Sequence, residues 1–136
     1  MTPTLLYRIS AVLLLLFAAG HTFGFLSFQA PTAEGQAVYD SMNRVQFEVR
    51  GSRFSYGWFY RGFGLSITFN MLFLAMLAWR LGTLARSDPK AIGLLGWGLC
   101  ALHVMSAVLS FLYFAAVPAI LSVLLAICLG WAAARV

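Results

Sequence analysis

The sequence predicts an all-α integral membrane protein: a four-transmembrane-helix bundle with an amphipathic interfacial helix between helices one and two. Three observations predict it. The 136 residues are 62% hydrophobic and 10% charged, whereas soluble domains are about a quarter charged. Stretches apolar and long enough to cross a ~30 Å hydrocarbon core, which takes roughly 20 helical residues, recur four times. Between the first two lies a segment whose apolar residues recur at helical spacing while its other side is polar. The formal charge of +5 does not point to nucleic acid, because the nine basic residues are scattered at segment ends rather than gathered on one face.

Residues 5–28 form the first span, with Arg8 as its one charged residue. A signal peptide is the competing reading, with Ile9 to Phe17 as its apolar stretch and Ala18-Ala19-Gly20 as small residues for cleavage. Apolar character resuming through Phe28 favours the span. Pro31 ends this helix, and residues 34–50 follow, with Val38, Met42, Val45 and Val49 on one face and Asp40, Asn43 and Arg44 opposite. Such a segment is expected to lie on a membrane surface, valines down, until Gly51 stops it. Phe54, Tyr56, Trp58, Phe59 and Tyr60 then supply the aromatic belt of a chain re-entering a membrane. Residues 57–80 form the second span, and 81–90 a polar turn in which Ser87-Asp88-Pro89 starts the next helix. Spans three and four cover 91–114 and 117–134, joined by a tight antiparallel hairpin opened by Pro118.

Basic residues near the helix ends set the orientation. Arg8, Arg80, Arg86, Lys90 and Arg135 oppose one acid, Asp88, on one side, while Arg44, Arg50 and Arg53 meet Glu34, Asp40 and Glu48 on the other. The first side is therefore cytoplasmic, with both termini. Small residues at helical spacing mark the packing faces: Gly20 and Gly24; Gly93, Gly96 and Cys100; Ser122, Ala126 and Gly130. A bundle of four spans is small, which makes a homodimer a candidate assembly. Cys100 and Cys128 both fall in apolar stretches and imply no disulfide.

Polar residues within the spans are the candidate site. At 1.5 Å per residue, His21, Tyr60 and Arg61 form an outer layer, and Asn70 and His103 a layer about 17–20 Å deep. On helix two, Gly57, Arg61, Gly64 and Thr68 share one face, and Phe63, Ser66 and Asn70 nearly the opposite one. On helix three, Cys100, His103, Ser106, Ala107 and Ser110 form one small and polar stripe that faces protein or a cavity. His21, Glu48 and His103 are the candidate acid-base groups, because ionisable residues in spans are costly and commonly functional. Arg53, Tyr60, Arg61 and Asn70 are the candidate ligand-binding residues, with interhelical hydrogen bonds and headgroup snorkelling as the structural alternatives. No metal-binding, phosphate-loop or nucleophile motif occurs, and no acid lies within a span.

AGHTFGF at Ala19 to Phe25, followed by RFSYGWFYRGFGL at Arg53 to Leu65, resembles a group of small bacterial four-span membrane proteins. The resemblance implies a bacterial plasma membrane and a four-helix fold, and carries over no catalytic residue. Three functions remain. The first is a pocket opening outward, lidded by segment 34–50, that binds or transforms a lipophilic small molecule among the membrane lipids. The second is a non-enzymatic subunit that docks another membrane protein through the small-residue rows. The third is haem b held by His21 and His103, with Arg53 or Arg61 at the propionates.

Overall fold

A computed structural model describes residues 1–136. Its elements in chain order are α1 (Pro3–Leu26), α2 (Ala33–Arg44), β1 (Gln46–Val49), β2 (Ser52–Ser55), α3 (Tyr56–Ser87), a 3₁₀ turn (Pro89–Ala91), α4 (Gly93–Tyr113) and α5 (Ala116–Ala133). The helices α1, α3, α4 and α5 are long and apolar enough to cross a membrane. Each keeps a third or less of its most apolar window buried, so its apolar side chains face outward as well as inward. That is the surface of a helix solvated by lipid rather than water.

Local chemistry explains most boundaries. Pro3 opens α1, where its missing N–H costs nothing, and the Thr2 hydroxyl accepts the Leu5 N–H at 3.3 Å. Thr32 caps α2 by accepting the Gly35 N–H at 3.1 Å, and Ser55 does the same for α3 from Trp58 at 3.1 Å. In α5, Pro118 stands third, within the first turn whose N–H groups have no intrahelical acceptor.

Two expectations fail here. The helix expected over 34–50 ends at Arg44, and Gln46–Val49 pairs antiparallel with Ser52–Ser55 in the register Gln46↔Ser55, Phe47↔Phe54, Glu48↔Arg53 and Val49↔Ser52. The turn is Arg50-Gly51, with φ of 50° and 81°. Positive φ at both central residues gives a two-residue hairpin the twist its strands need. Gly51 thus closes a hairpin instead of stopping a helix. The polar turn expected over 81–90 is also mostly helical. α3 runs on to Ser87 because Leu81 is fully buried and Leu84 packs against the core. Its 32 residues make a rod of about 48 Å. Asp88 then stands at the N-cap of the 3₁₀ turn without a side-chain cap bond.

The chain divides into two compact units, Met1–Phe17 with Met71–Val136, and Ala18–Asn70. The first holds the main buried cluster: Leu6, Tyr7, Ala11 and Leu14 of α1, Ala75, Ala78 and Leu81 of α3, then Ile92, Leu99, Leu125, Leu129 and Ala132. Within it α4 and α5 pack as an antiparallel hairpin. A Cβ on Gly130 would meet Cys100 Sγ at 3.0 Å, and the Cys100 thiol donates to Ala126 O at 3.4 Å. A Cβ on Gly96 would lie 2.5 Å from the Tyr7 hydroxyl and 3.2 Å from Ala133. Of the small-residue rows of spans three and four, Gly93 has open space before it, while Gly96, Cys100 and Gly130 do bring elements together.

Gly20 and Gly24 do not, since nothing lies within 4 Å of a Cβ at either. In the second unit the close approach is made by Gly64, whose Cβ would meet the Phe25 ring at 2.5 Å, and by Gly57, which abuts the Asn43 side chain.

Candidate functional site

In the second unit, the C-terminal half of α1 presents His21, Thr22 and Phe25, and the N-terminal half of α3 presents Tyr60, Gly64 and Thr68. The spacing of four puts the latter three on one face. His21 Nε2–H donates to Gly64 O at 3.1 Å, and its ring stacks on Phe25 with centroids 5.8 Å apart and 7° between planes. Phe25 in turn meets Tyr60 at 5.6 Å. One turn along, Thr22 and Thr68 hydroxyls lie 2.8 Å apart, Thr22 Oγ1 lies 2.7 Å from Ala18 O and Thr68 Oγ1 lies 3.3 Å from Gly64 O. Two hydroxyl protons cannot serve three contacts. The two shorter distances select Thr68 donating to Thr22 and Thr22 donating to Ala18 O, which leaves the Gly64 carbonyl for His21.

Histidine 21 is thus a half-buried strut that fixes the approach of α1 to α3. With Nε2 committed as donor, ligation of haem through that atom would require breaking the Gly64 bond. His103 belongs to the other unit. It is 4% exposed, and its Nδ1–H donates to Leu99 O of its own helix at 2.9 Å. It sits on the buried stripe of α4 with Gly96, Leu99, Ala107 and Ser110, in line with the small and polar face expected there.

The remaining candidates scatter. Glu48 and Arg53 stand directly opposite each other in the hairpin ladder, both exposed, so the neighbour of this acid is Arg53. Asn70 is exposed and turns back on its own helix, donating to Ser66 O at 2.9 Å. Tyr60 and Arg61 are exposed on the first turns of α3.

The concave surface of this unit is formed by other residues. Ala37, Val38, Ser41, Met42 and Val45, with Tyr56 at the start of α3, line an open groove of about 410 Å³. None of the seven sequence-predicted site residues lines it. Its lining is apolar except for Ser41 and Tyr56, the two residues that carry side-chain hydroxyls. Val38 is 62% exposed and Val45 48%, so this apolar face of α2 is uncovered. Arg44 stands beside Val45 at the end of the same helix. Beyond the groove, Phe47 packs against Phe54, Tyr56 and Phe59 at centroid distances of 6.1, 4.9 and 6.1 Å. This cluster roots the hairpin on α3.

The groove was half legible in the sequence. Val38, Met42 and Val45 read as one helical face, but nothing in their spacing marks that face as one wall of a concavity. The concavity needs Tyr56, which only the intervening hairpin brings alongside α2. Comparison with family models, with curated proteins and with solved structures finds no match for this chain.

Proposed function

We propose that the protein is an integral membrane protein that binds a lipophilic molecule, an acyl or isoprenoid chain, in the groove between α2 and Tyr56. The observation that carries this reading is the uncovered apolar lining of that groove, Ala37, Val38, Met42 and Val45. An apolar face left open beside lipid-solvated helices gains by packing against a hydrocarbon chain. In this reading α2 lies at the outer membrane surface, both termini are cytoplasmic, and Arg44 meets the polar end of the ligand. His21 supports the site by holding α1 against α3, and is not itself in contact with the ligand.

The test is photolabelling of the full chain in vesicles with a diazirine-bearing fatty acid. Labelling concentrated on residues 37–45 and Tyr56, displaced by excess unlabelled fatty acid and lost in Val38→Gln/Met42→Gln, is expected. Labelling spread along all four spans that no competitor displaces would sink the reading.

One observation favours a second reading, assembly with another copy. Gly20 and Gly24 stand four residues apart on α1, both exposed and with open space before each, which is the spacing that lets two membrane helices approach closely. Cross-linking in native membranes should yield a dimer that Gly20→Leu/Gly24→Leu abolishes. A dimer unaffected by that change removes the reading.

A further inference from the structure

The first unit carries five basic residues, Arg8, Arg80, Arg86, Lys90 and Arg135, against one acid, Asp88. Packing draws most of them to one end of it. A Cβ on Gly82 would lie 3.2 Å from Thr4 O and 3.3 Å from Arg8 Cγ, so the first turns of α1 lie against the last turns of α3. Tyr7 reaches the start of α4 at Gly96 and, through it, the end of α5 at Ala133. Arg135 donates from Nη1 to Met1 O at 3.2 Å.

Two arginines at this end lie over indoles, Arg8 over Trp79 at 5.0 Å and Arg135 over Trp131 at 5.2 Å. They differ in one respect. Arg135 has a carbonyl to donate to, whereas Nε of Arg8 is shielded and has no acceptor in the protein. Arg8 is also the more deeply placed, about 7 Å along α1 from its start. A guanidinium attracted to an aromatic face spends no N–H donor on that contact and keeps a fork that matches the oxygens of a phosphate. Trp79, itself half exposed, has the amphipathic ring that settles at headgroup depth.

We infer that Arg8 and Trp79 form a binding site for the phosphodiester of an anionic phospholipid. The site is distinct from the groove of the second unit and does not rest on it. Trp79 holds the guanidinium over its ring, Arg8 supplies the donors, and the surplus of positive charge at this end selects an anionic over a zwitterionic headgroup.

The test uses the full chain in vesicles of phosphatidylcholine with or without phosphatidylglycerol, followed by native mass spectrometry of the lipid retained. The wild type should retain phosphatidylglycerol in preference to phosphatidylcholine. Arg8→Gln should lower that retention about fivefold, the scale of losing one cation near an anionic headgroup. Trp79→Leu, which keeps every charge, should lower it as well, and Arg8→Lys should not restore it fully. Arg61→Gln, an exposed arginine of the other unit, should leave it unchanged. Equal losses in Arg8→Gln and Arg61→Gln would reduce the effect to net charge and overturn the site. So would unchanged retention in Trp79→Leu, or displacement of the lipid by inorganic phosphate. If Arg8→Gln does not fold, Trp79→Leu against Arg61→Gln decides the matter.

Discussion

The two units of this protein solve different packing problems with the same kind of helix. In the first, leucines and small residues mesh: Leu81, Leu125, Leu129 and Ala132 are fully buried, and Gly96 and Gly130 let neighbouring elements touch. In the second, the buried residues are few, and the contacts are made by aromatic rings and single hydrogen bonds. In lipid there is no hydrophobic drive between helices, so stability tracks how closely atoms pack. The first unit is therefore the anchor of the fold. The second keeps surface uncovered, which binding requires.

That contrast can be broken or sharpened by substitution, with stability read from thermal unfolding of the protein in one detergent. The largest effect is expected at Leu129, which is fully buried. Leu129→Ala should cost about 2–5 kcal/mol through the cavity it leaves, and a change below 1 kcal/mol would mean the first unit is not close-packed. Next, Gly96→Ala forces a methyl against the Tyr7 hydroxyl and Ala133, both part of the packed unit. A loss of about 1–3 kcal/mol is expected.

Gly51→Ala acts on the second unit alone. Its φ of 81° strains any side chain, so the hairpin should lose about 1 kcal/mol. Amide hydrogen exchange should register this as faster exchange confined to Gln46–Ser55, whereas loss of protection in α4 would contradict the division into units. The smallest effect belongs to the threonine contact. A double-mutant cycle of Thr22→Val and Thr68→Val should give a coupling of about 0.6 kcal/mol, the usual worth of a hydrogen bond between membrane helices. A value near zero would show that the two hydroxyls satisfy themselves on their own helices.

The four apolar helices were legible because hydropathy sums over some twenty residues, and single residues cannot disturb it. Their ends shifted where a local signal competed. The run Leu81-Gly82-Thr83-Leu84-Ala85-Arg86 is polar enough to read as a turn, yet Leu81 and Leu84 keep the helical period and are held by the core. The hairpin was missed because Val45 and Val49 satisfy two periods at once. They continue the helical spacing from Val38 and Met42, but Phe47 and Val49 also alternate with Gln46 and Glu48, as a strand requires. Only the positive φ at Arg50 and Gly51 distinguishes them.

Of the expected face of Gly57, Arg61, Gly64 and Thr68, the two glycines and the threonine each meet a protein neighbour, whereas Arg61 is exposed. What could not be read was which polar groups spend themselves locally. Asn70 and His103 both bond a carbonyl four residues back. Depth and angle alone do not distinguish such a group from one awaiting a ligand.

The hairpin tip has a practical consequence. Arg50 is exposed, lies in the left-handed region and is flanked by Gly51 at a two-residue turn, with Arg53 three positions on. Loop tips of this kind are where proteases nick folded chains. Trypsin added to sealed vesicles would cleave after Arg50 or Arg53 only if the hairpin lies on the outer side of the vesicle. The turn thereby serves as a built-in reporter of sidedness, readable by the masses of two fragments without altering the sequence.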